Sequence, residues 1–407
     1  MDHRIDSEYR NIPFSPPDIT DAEIEEVISS LKSGWITTGP KTKQFEQKIA
    51  EYVGTRKAVC LSSATAAMEL TLRILGIGPG DEVITTPYTY TASASVIHHT
   101  GAKIVLVDVS PDSYEMDYDK LAEAINERTK AVIPVDIAGR MCDYDAIYEA
   151  VNSKKGCFRP NNDIQEQFGR VIVLADAAHA FGAERKGKKC GLAADFTCFS
   201  FHAVKNLTTA EGGAVVWRND ISLDDEWLYS QYMLMSLHGQ SKDALTKTQK
   251  GAWEYDIVYP AYKCNMTDVL AGIGLAQLSR YESIMRRRHE IIEMYDNMLL
   301  PTGISSLKHK GEEFISSGHL YLARIPGIGE QERNTIIAEM AEAGVACNVH
   351  YKPLPMMTAY RKLGFDIKDY PNAYKQYENE ITLPLHTLLS DEDAEYVCGK
   401  LLAIIKK

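Results

Sequence analysis

From about residue 40 to 217 the chain alternates short β-branched runs with amphipathic helical patterns, and this alternation restricts its fold more than any other feature. KAVCLS, DEVITT, KIVLVDV, KAVIPVDI and RVIVLAD read as buried strands. Between them, TKQFEQKIAEYV sets Phe45, Ile49 and Val53 at helical spacing, AAMELTLRIL does the same with Met68, Leu72 and Leu75, and YDKLAEAIN and YDAIYEAVN continue the series. Buried strands separated by helices imply a mostly parallel α/β sheet. The polar Lys/Asn/Gln-rich stretch between Asn152 and Gly169 (153–168) reads as a surface insertion with no evident role.

After about residue 265 comes one long helical pattern, TDVLAGIGLAQLSRYESIMRRRHEIIEMYDNML. HLYLARI, QERNTIIAEMAEAG, ITLPL and DEDAEYVCGKLLAIIK follow it, an order that fits a smaller α+β domain. The expected division is a large domain over 1–260 and a long helix with a small C-terminal domain over 261–407, the N-terminal segment being free to pack on the latter.

A chain of 407 residues, 45% hydrophobic and 25% charged, has enough apolar content for two domains. A net charge of −12 argues against a nucleic-acid partner, because phosphate-backbone affinity needs a basic face. No apolar run approaches the roughly 18 residues a bilayer span needs, and MDHRIDSEYR is too polar for the hydrophobic part of a signal peptide. Eight cysteines are scattered with no CxxC pair, several in strand-like stretches, as reduced core thiols are. The chain is therefore expected to be cytoplasmic, with no metal and no membrane partner.

Four segments carry chemistry. VCLSSATAAMEL ends a strand and starts a helix with Ser62, Ser63 and Thr65, which fits an ordinary N-cap as well as an anion cradle. VIVLADAAHAFG ends a strand on Asp176 with His179 three residues on; a solvated acid and a partnered histidine account for it, and so does a partner for a ring nitrogen. TTPYTYTASAS sets Tyr88 and Tyr90 after a strand, as packing residues or as a stacking surface for a flat cofactor. CFSFHAVKNLTTAEGGAVV holds Lys205 among small residues between two apolar strands. An exposed lysine explains it alone; a partly desolvated one has a lowered pKa and an amine able to form a Schiff base.

Together these segments resemble the DegT/DnrJ/StrS-type sugar aminotransferases, and the likeness covers nearly the whole chain: GWITTGPKTKQFE, SSATAAMEL, TPYTYTAS, DAAHAFGA, SFHAVKNLTTAEGG, MTDVLAGIGLAQL and HYKPL. The wording is closest to the branch that aminates a UDP-4-keto-pentose in lipid A modification. The resemblance implies the aspartate-aminotransferase-like fold, fold type I of the pyridoxal 5'-phosphate enzymes. It also implies that Lys205 binds the cofactor aldehyde and moves the proton between substrate carbon and cofactor. Asp176 would pair with the pyridine nitrogen, His179 would lie by the 3-oxygen, and Tyr90 would stack on the ring. Ala64 (by its backbone), Thr65 and Ser200 would hold the phosphate.

The implied reaction is ping-pong transamination from an amino donor, L-glutamate, to a nucleotide-linked keto-sugar. The substrate would bind near Trp35–Thr38 and His350-Tyr351, in a homodimer with shared sites. One departure stands out: where relatives carry GYNxR, whose Asn reaches the partner subunit's cofactor phosphate, AYKCNMTD has Lys263, able to meet a phosphate as a point charge. A sugar dehydratase of the same fold would carry histidine at position 205, and a cofactor-binding regulator would need a partner-binding module that the sequence does not display. MRRRHE at 285–290 reads as a solvated basic face, residues 242–250 as a polar loop, and Trp227 to Tyr232 as core; His238-Gly239 resembles a family pair by the subunit interface and fits packing at least as well.

Overall fold

The computed structural model describes residues 9–241 and 254–406, so the stretch read as a polar loop at 242–250 lies outside the described residues. Its main sheet has seven strands: β1 (Ala58–Leu61), β2 (Glu82–Thr85), β3 (Lys103–Leu106), β4 (Thr129–Ile133), β5 (Ile172–Asp176), β6 (Phe196–Ser200) and β7 (Gly213–Trp217). They lie in the order β1-β7-β6-β5-β4-β2-β3. The pairs from β6 through β5, β4 and β2 to β3 are parallel, and β7 runs antiparallel to both its neighbours. The mostly parallel α/β sheet expected from the alternation is present.

Side chains alternate across a strand, so each strand feeds two apolar layers. Cys60, Ala175 and Phe199 face a layer with Phe45, Ile49 and Phe181, whereas Leu61, Leu174 and Cys198 face one with Met68, Leu72 and Trp217. Trp217 stacks on Tyr232, 5.8 Å away between ring centroids, so the aromatic run from Trp227 to Tyr232 does supply core. Five of the eight cysteines are buried, and all eight are free thiols.

The single helix expected after residue 265 is two helices, Asp268–Ser279 and Tyr281–Leu299. Arg280 breaks it, at φ −114° and ψ 11°, with its guanidinium held by the Glu23 carboxylate at 2.9 Å and the Asp18 carbonyl at 2.5 Å. The apolar periodicity runs on through this corner, so nothing in it marks the turn. The first helix packs on the helices Asp21–Ser33 and Pro40–Val53. The second starts in the large core with Tyr281 and ends in a separate one with Ile291, Tyr295 and Leu299.

That second core lies under an antiparallel sheet of β8 (Ser305–Ser306), β9 (Tyr321–Arg324) and β10 (Glu380–Leu383), backed by the helices Glu330–Glu342 and Asp391–Ile405. Ile12 of the N-terminal segment bridges to Val345 and is buried in this core. The basic run 285–290 is not simply a solvated face. Arg288 is only 4% exposed and donates to the Gly318 carbonyl at 2.7 Å and the His319 carbonyl at 2.6 Å. A buried guanidinium must fill its donors, and here carbonyls of a tight loop supply the acceptors.

The stretch 153–168 is packed as well as exposed. It forms a helix, Asp163–Phe168, in which Gln165 and the capping Asn162 both donate side-chain amides to the Leu75 carbonyl. His238-Gly239 has a structural role: both residues have positive φ, and a Cβ on Gly239 would lie 1.8 Å from the Tyr259 carbonyl oxygen. Among the described residues no helix is long and apolar enough to cross a membrane.

Candidate active site

In a parallel sheet, ligands gather at the carboxyl ends of the strands. β1 ends at Leu61 and turns into the helix Ala64–Ile74, β5 ends on Asp176, and β6 ends on Ser200. These ends open into one cavity of 380 Å³ at the junction with the smaller sheet. Nine of the eleven site residues named from sequence line it: Ala64, Thr65, Tyr90, Asp176, His179, Ser200, Lys205, His350 and Tyr351.

Thr38 and Lys263 do not line it. Thr38 is buried, with its hydroxyl donating to the Met266 carbonyl at 2.6 Å. The Asn265 amide donates to that same hydroxyl at 2.6 Å and accepts from the Lys263 ammonium, so the two residues share one neighbour away from the cavity.

The start of the Ala64–Ile74 helix has the form of an anion site. Ser63 caps it by accepting from the Ala66 N–H at 3.0 Å, which leaves the Ala64 and Thr65 N–H groups without a partner among the described residues. Ser200 adds a hydroxyl at the end of β6. β7 reaches this loop because it begins with glycine: a Cβ on Gly213 would lie 2.4 Å from both the Ala64 nitrogen and the Ser63 carbonyl carbon. Gly213→Ala is therefore expected to destabilise the fold by about 3 kcal/mol or more, since backbone must move to admit the methyl. Urea unfolding of the variant checks this, and a midpoint equal to wild type would refute the contact.

Asp176 is 5% exposed. Its Oδ2 accepts from the Ser93 hydroxyl at 2.6 Å and its Oδ1 from the Ala178 N–H at 3.2 Å. Burial raises its pKa, opposed by those two bonds and by the charge of Lys205. Lys205 sits on a loop closed by Phe201 N–H to Gly212 O at 2.8 Å and anchored by Asn206, whose amide donates to the Ser317 carbonyl at 2.7 Å. Burial lowers the Lys205 amine to about 8, with Asp176 opposing. An amine of this kind loses its proton under mild conditions and becomes a nucleophile.

His179 has a defined tautomer. Its Nδ1 accepts from the Ala138 N–H at 3.1 Å, so Nε2 carries the proton and donates to the Tyr351 hydroxyl at 3.1 Å. Burial first, then the neighbouring Lys205 charge, holds it well below the usual imidazole range and hence neutral. Tyr90 stands at the rim, 62% exposed, its ring 6.1 Å from that of Tyr351 and open to a flat ligand.

Three contributors were not recognised in the sequence. Ser93 orients Asp176, His319 packs 4.4 Å from His179 between ring centroids, and Phe14 stacks on His350 at 5.6 Å and 20°. Ser93 lies inside the TPYTYTAS run, but a serine in a helical pattern gives no sign of which acid will fold against it; the other two come from segments far apart in the chain.

These groups fit a cofactor with a phosphate, an aldehyde and a protonated ring nitrogen. The unpaired amides at the helix start suit the phosphate, the Lys205 amine the aldehyde, and the buried Asp176 carboxylate the ring N–H. Residues 17–402 match the DegT/DnrJ/EryC1/StrS aminotransferase family.

The chain belongs to that family.

It is similar to the spore coat polysaccharide biosynthesis protein SpsC of Bacillus subtilis strain 168, 38% identical over 403 residues and 97% of each chain. It is also similar to the UDP-4-amino-4-deoxy-L-arabinose--oxoglutarate aminotransferase of Shewanella sediminis, 36% identical over 97% of this chain and 98% of that one. Among solved structures, Spr1654 of Streptococcus pneumoniae, assigned as a sugar aminotransferase, matches in its PMP-form with a TM-score of 0.95. That match is 55% identical and covers 97% of this chain and 99% of that one. The PLP-form matches with a TM-score of 0.94 at 54% identity, over 98% of this chain and 99% of that one. The chain is thus an aminotransferase with the expected fold.

Proposed function

We propose that this aminotransferase moves an amino group from L-glutamate to a keto-sugar linked to a nucleoside diphosphate, in two half-reactions at one site, with pyridoxal 5'-phosphate as cofactor. The observation that carries the reading is the meeting of a lowered-pKa amine, Lys205, and a buried strand-end carboxylate, Asp176, beside the free amides of a helix start. The cofactor, when bound, supplies an electron sink for the bond electrons released at the substrate carbon.

The chain's own groups do the rest. With the cofactor bound, Lys205 would hold its aldehyde carbon and, once freed, would take and return the proton at the substrate carbon. Asp176 would keep a proton on the ring nitrogen. His179, neutral and donating from Nε2, fixes the Tyr351 hydroxyl at the cavity wall. Ser200 and the Ala64 and Thr65 amides would hold the phosphate, and Tyr90 would offer its ring to that of the cofactor.

Similarity to the Shewanella enzyme supports a nucleotide-linked sugar and a glutamate/oxoglutarate couple. A homodimer is supported by the exposed apolar side chains Ile24, Ile28, Leu31 and Ile36. In such a dimer Lys263, set outside this chain's cavity, would face the partner's only by giving up its bond to Asn265, while Thr38 stays buried on the Met266 carbonyl. The test is incubation of the purified protein with glutamate and UDP-, dTDP- and GDP-linked 3-keto and 4-keto sugars, followed by mass spectrometry. One amino-sugar per oxoglutarate is expected. A deoxygenated sugar with no amine incorporated would make the protein a dehydratase instead.

A further inference from the structure

Glu380 opens β10, is fully buried and lies outside the cavity wall, yet it is joined to that wall by a short chain of hydrogen bonds. Its Oε2 accepts from the His350 backbone N–H at 2.9 Å, and its Oε1 accepts from the Thr382 hydroxyl at 2.5 Å. The same hydroxyl oxygen lies 2.9 Å from His350 Nδ1. Backbone bonds between Thr382 and Asn348, at 2.8 and 3.0 Å, hold the two segments in register. His350 Nε2 makes no hydrogen bond among the described residues, and its ring lines the cavity with Lys205 and Asp176.

A hydroxyl has one proton, so this chain has two internally consistent states. With Glu380 ionised, Thr382 donates to the carboxylate and accepts from His350 Nδ1–H, leaving Nε2 a lone pair. With Glu380 protonated on Oε1, the acid donates to Thr382, Thr382 donates to Nδ1, and the ring proton sits on Nε2. One proton enters from solvent at Glu380, and the ring keeps one proton throughout. We propose that Glu380 is a positioning residue that acts through Thr382 to select the tautomer of His350, and so decides whether the cavity meets a donor or an acceptor at Nε2.

The groups facing Glu380 are Arg324 on β9, Arg333 on the helix Glu330–Glu342, Tyr88, Tyr114, Cys347 and Tyr351. Neither guanidinium bonds the carboxylate: Arg324 donates to Asn379 and the Lys375 carbonyl, and Arg333 to the carbonyls of Tyr377 and Glu380. Burial raises Glu380 to about 8, opposed by its hydrogen bonds and by the two arginines, so both states fall within reach of ordinary buffers.

The experiment follows the His350 ring nitrogens by NMR in 15N-histidine-labelled, cofactor-loaded protein, with the signal assigned by its loss in His350→Gln. Wild type is expected to pass from Nε2–H to Nδ1–H as pH rises through about 8. In Glu380→Gln the amide oxygen must face the His350 N–H, which turns the amide NH2 toward Thr382 and locks Nε2–H from about pH 6 to about pH 10. Thr382→Ser keeps the wild-type change and Thr382→Val loses it. Nδ1–H in Glu380→Gln, or an unchanged switch in Thr382→Val, overturns the proposal. That a sugar hydroxyl meets Nε2 rests on the proposed reaction. It is read separately, as a rise of about tenfold in KM for the keto-sugar in Glu380→Gln above pH 8, with the glutamate half-reaction unchanged. An unchanged KM with the tautomer locked would remove His350 from the sugar site and leave the relay standing.

Discussion

Lys205→Ala is expected to lower kcat by roughly 10⁵- to 10⁶-fold, the scale seen when a covalent nucleophile that also moves protons is deleted. The loss should be chemical and not structural. The Lys205 loop is closed by backbone bonds from Phe201 to Gly212 and from Thr209 to Phe201, and by the Asn206 amide on Ser317, none of which uses the Lys205 side chain. Unfolding free energies of variant and wild type should therefore agree within about 1 kcal/mol. Lys205→Arg separates charge from nucleophilicity: it keeps a cation beside Asp176 but cannot lose its proton, so its activity should fall as far.

Borohydride treatment gives a second readout, because it should fix cofactor mass to the peptide holding residue 205 in wild type only. Retention of turnover and of that mass increment by Lys205→Ala would dismiss the assignment. The amine at about 8 also predicts that wild-type capture of added cofactor quickens as pH rises toward that value.

Much of this site was legible because its parts sit at strand ends, and strand ends are readable. A β-branched run stopping on an acid places Asp176 at the carboxyl edge of β5, and a Ser/Thr cluster before AAMELTLRIL marks a helix start. Lys205 stood out because a lysine between two apolar strands needs a reason. What stayed hidden depends on contacts between distant segments. Arg288 looks like its neighbours Arg286 and Arg287 until the loop carrying Gly318 and His319 folds over it. Arg280 breaks a helix because Glu23 and Asp18, more than 250 residues earlier, take its guanidinium. Glu380 begins an ordinary strand, and only the His350 segment lying against β10 gives its carboxyl a route to the cavity.

Asp176→Asn is expected to cut kcat by about 10²- to 10³-fold, the usual cost of removing one preorganised electrostatic contact, while making the cofactor-free protein more stable. The two effects have one cause. An amide preserves the local bonds: its oxygen can accept from the Ala178 N–H, and its NH2 can donate to Ser93, whose hydroxyl turns toward Thr89 at 2.7 Å. What it cannot do is hold a proton on a ring nitrogen.

In the cofactor-free protein the same carboxylate is a buried charge whose cost the Ser93 and Ala178 hydrogen bonds and the Lys205 charge offset only in part. Burial raises the folded-state pKa above its unfolded value, so the favourable contribution of the protonated acid is complete below about pH 4 and is lost as pH rises through the folded pKa. The stability gain of the variant should accordingly be near zero at about pH 4 and grow as pH rises toward neutral. Thermal unfolding of both cofactor-free proteins across that range measures it. A variant that loses activity and stability together at neutral pH would make Asp176 a structural acid, and the pairing with a ring nitrogen would have to be given up.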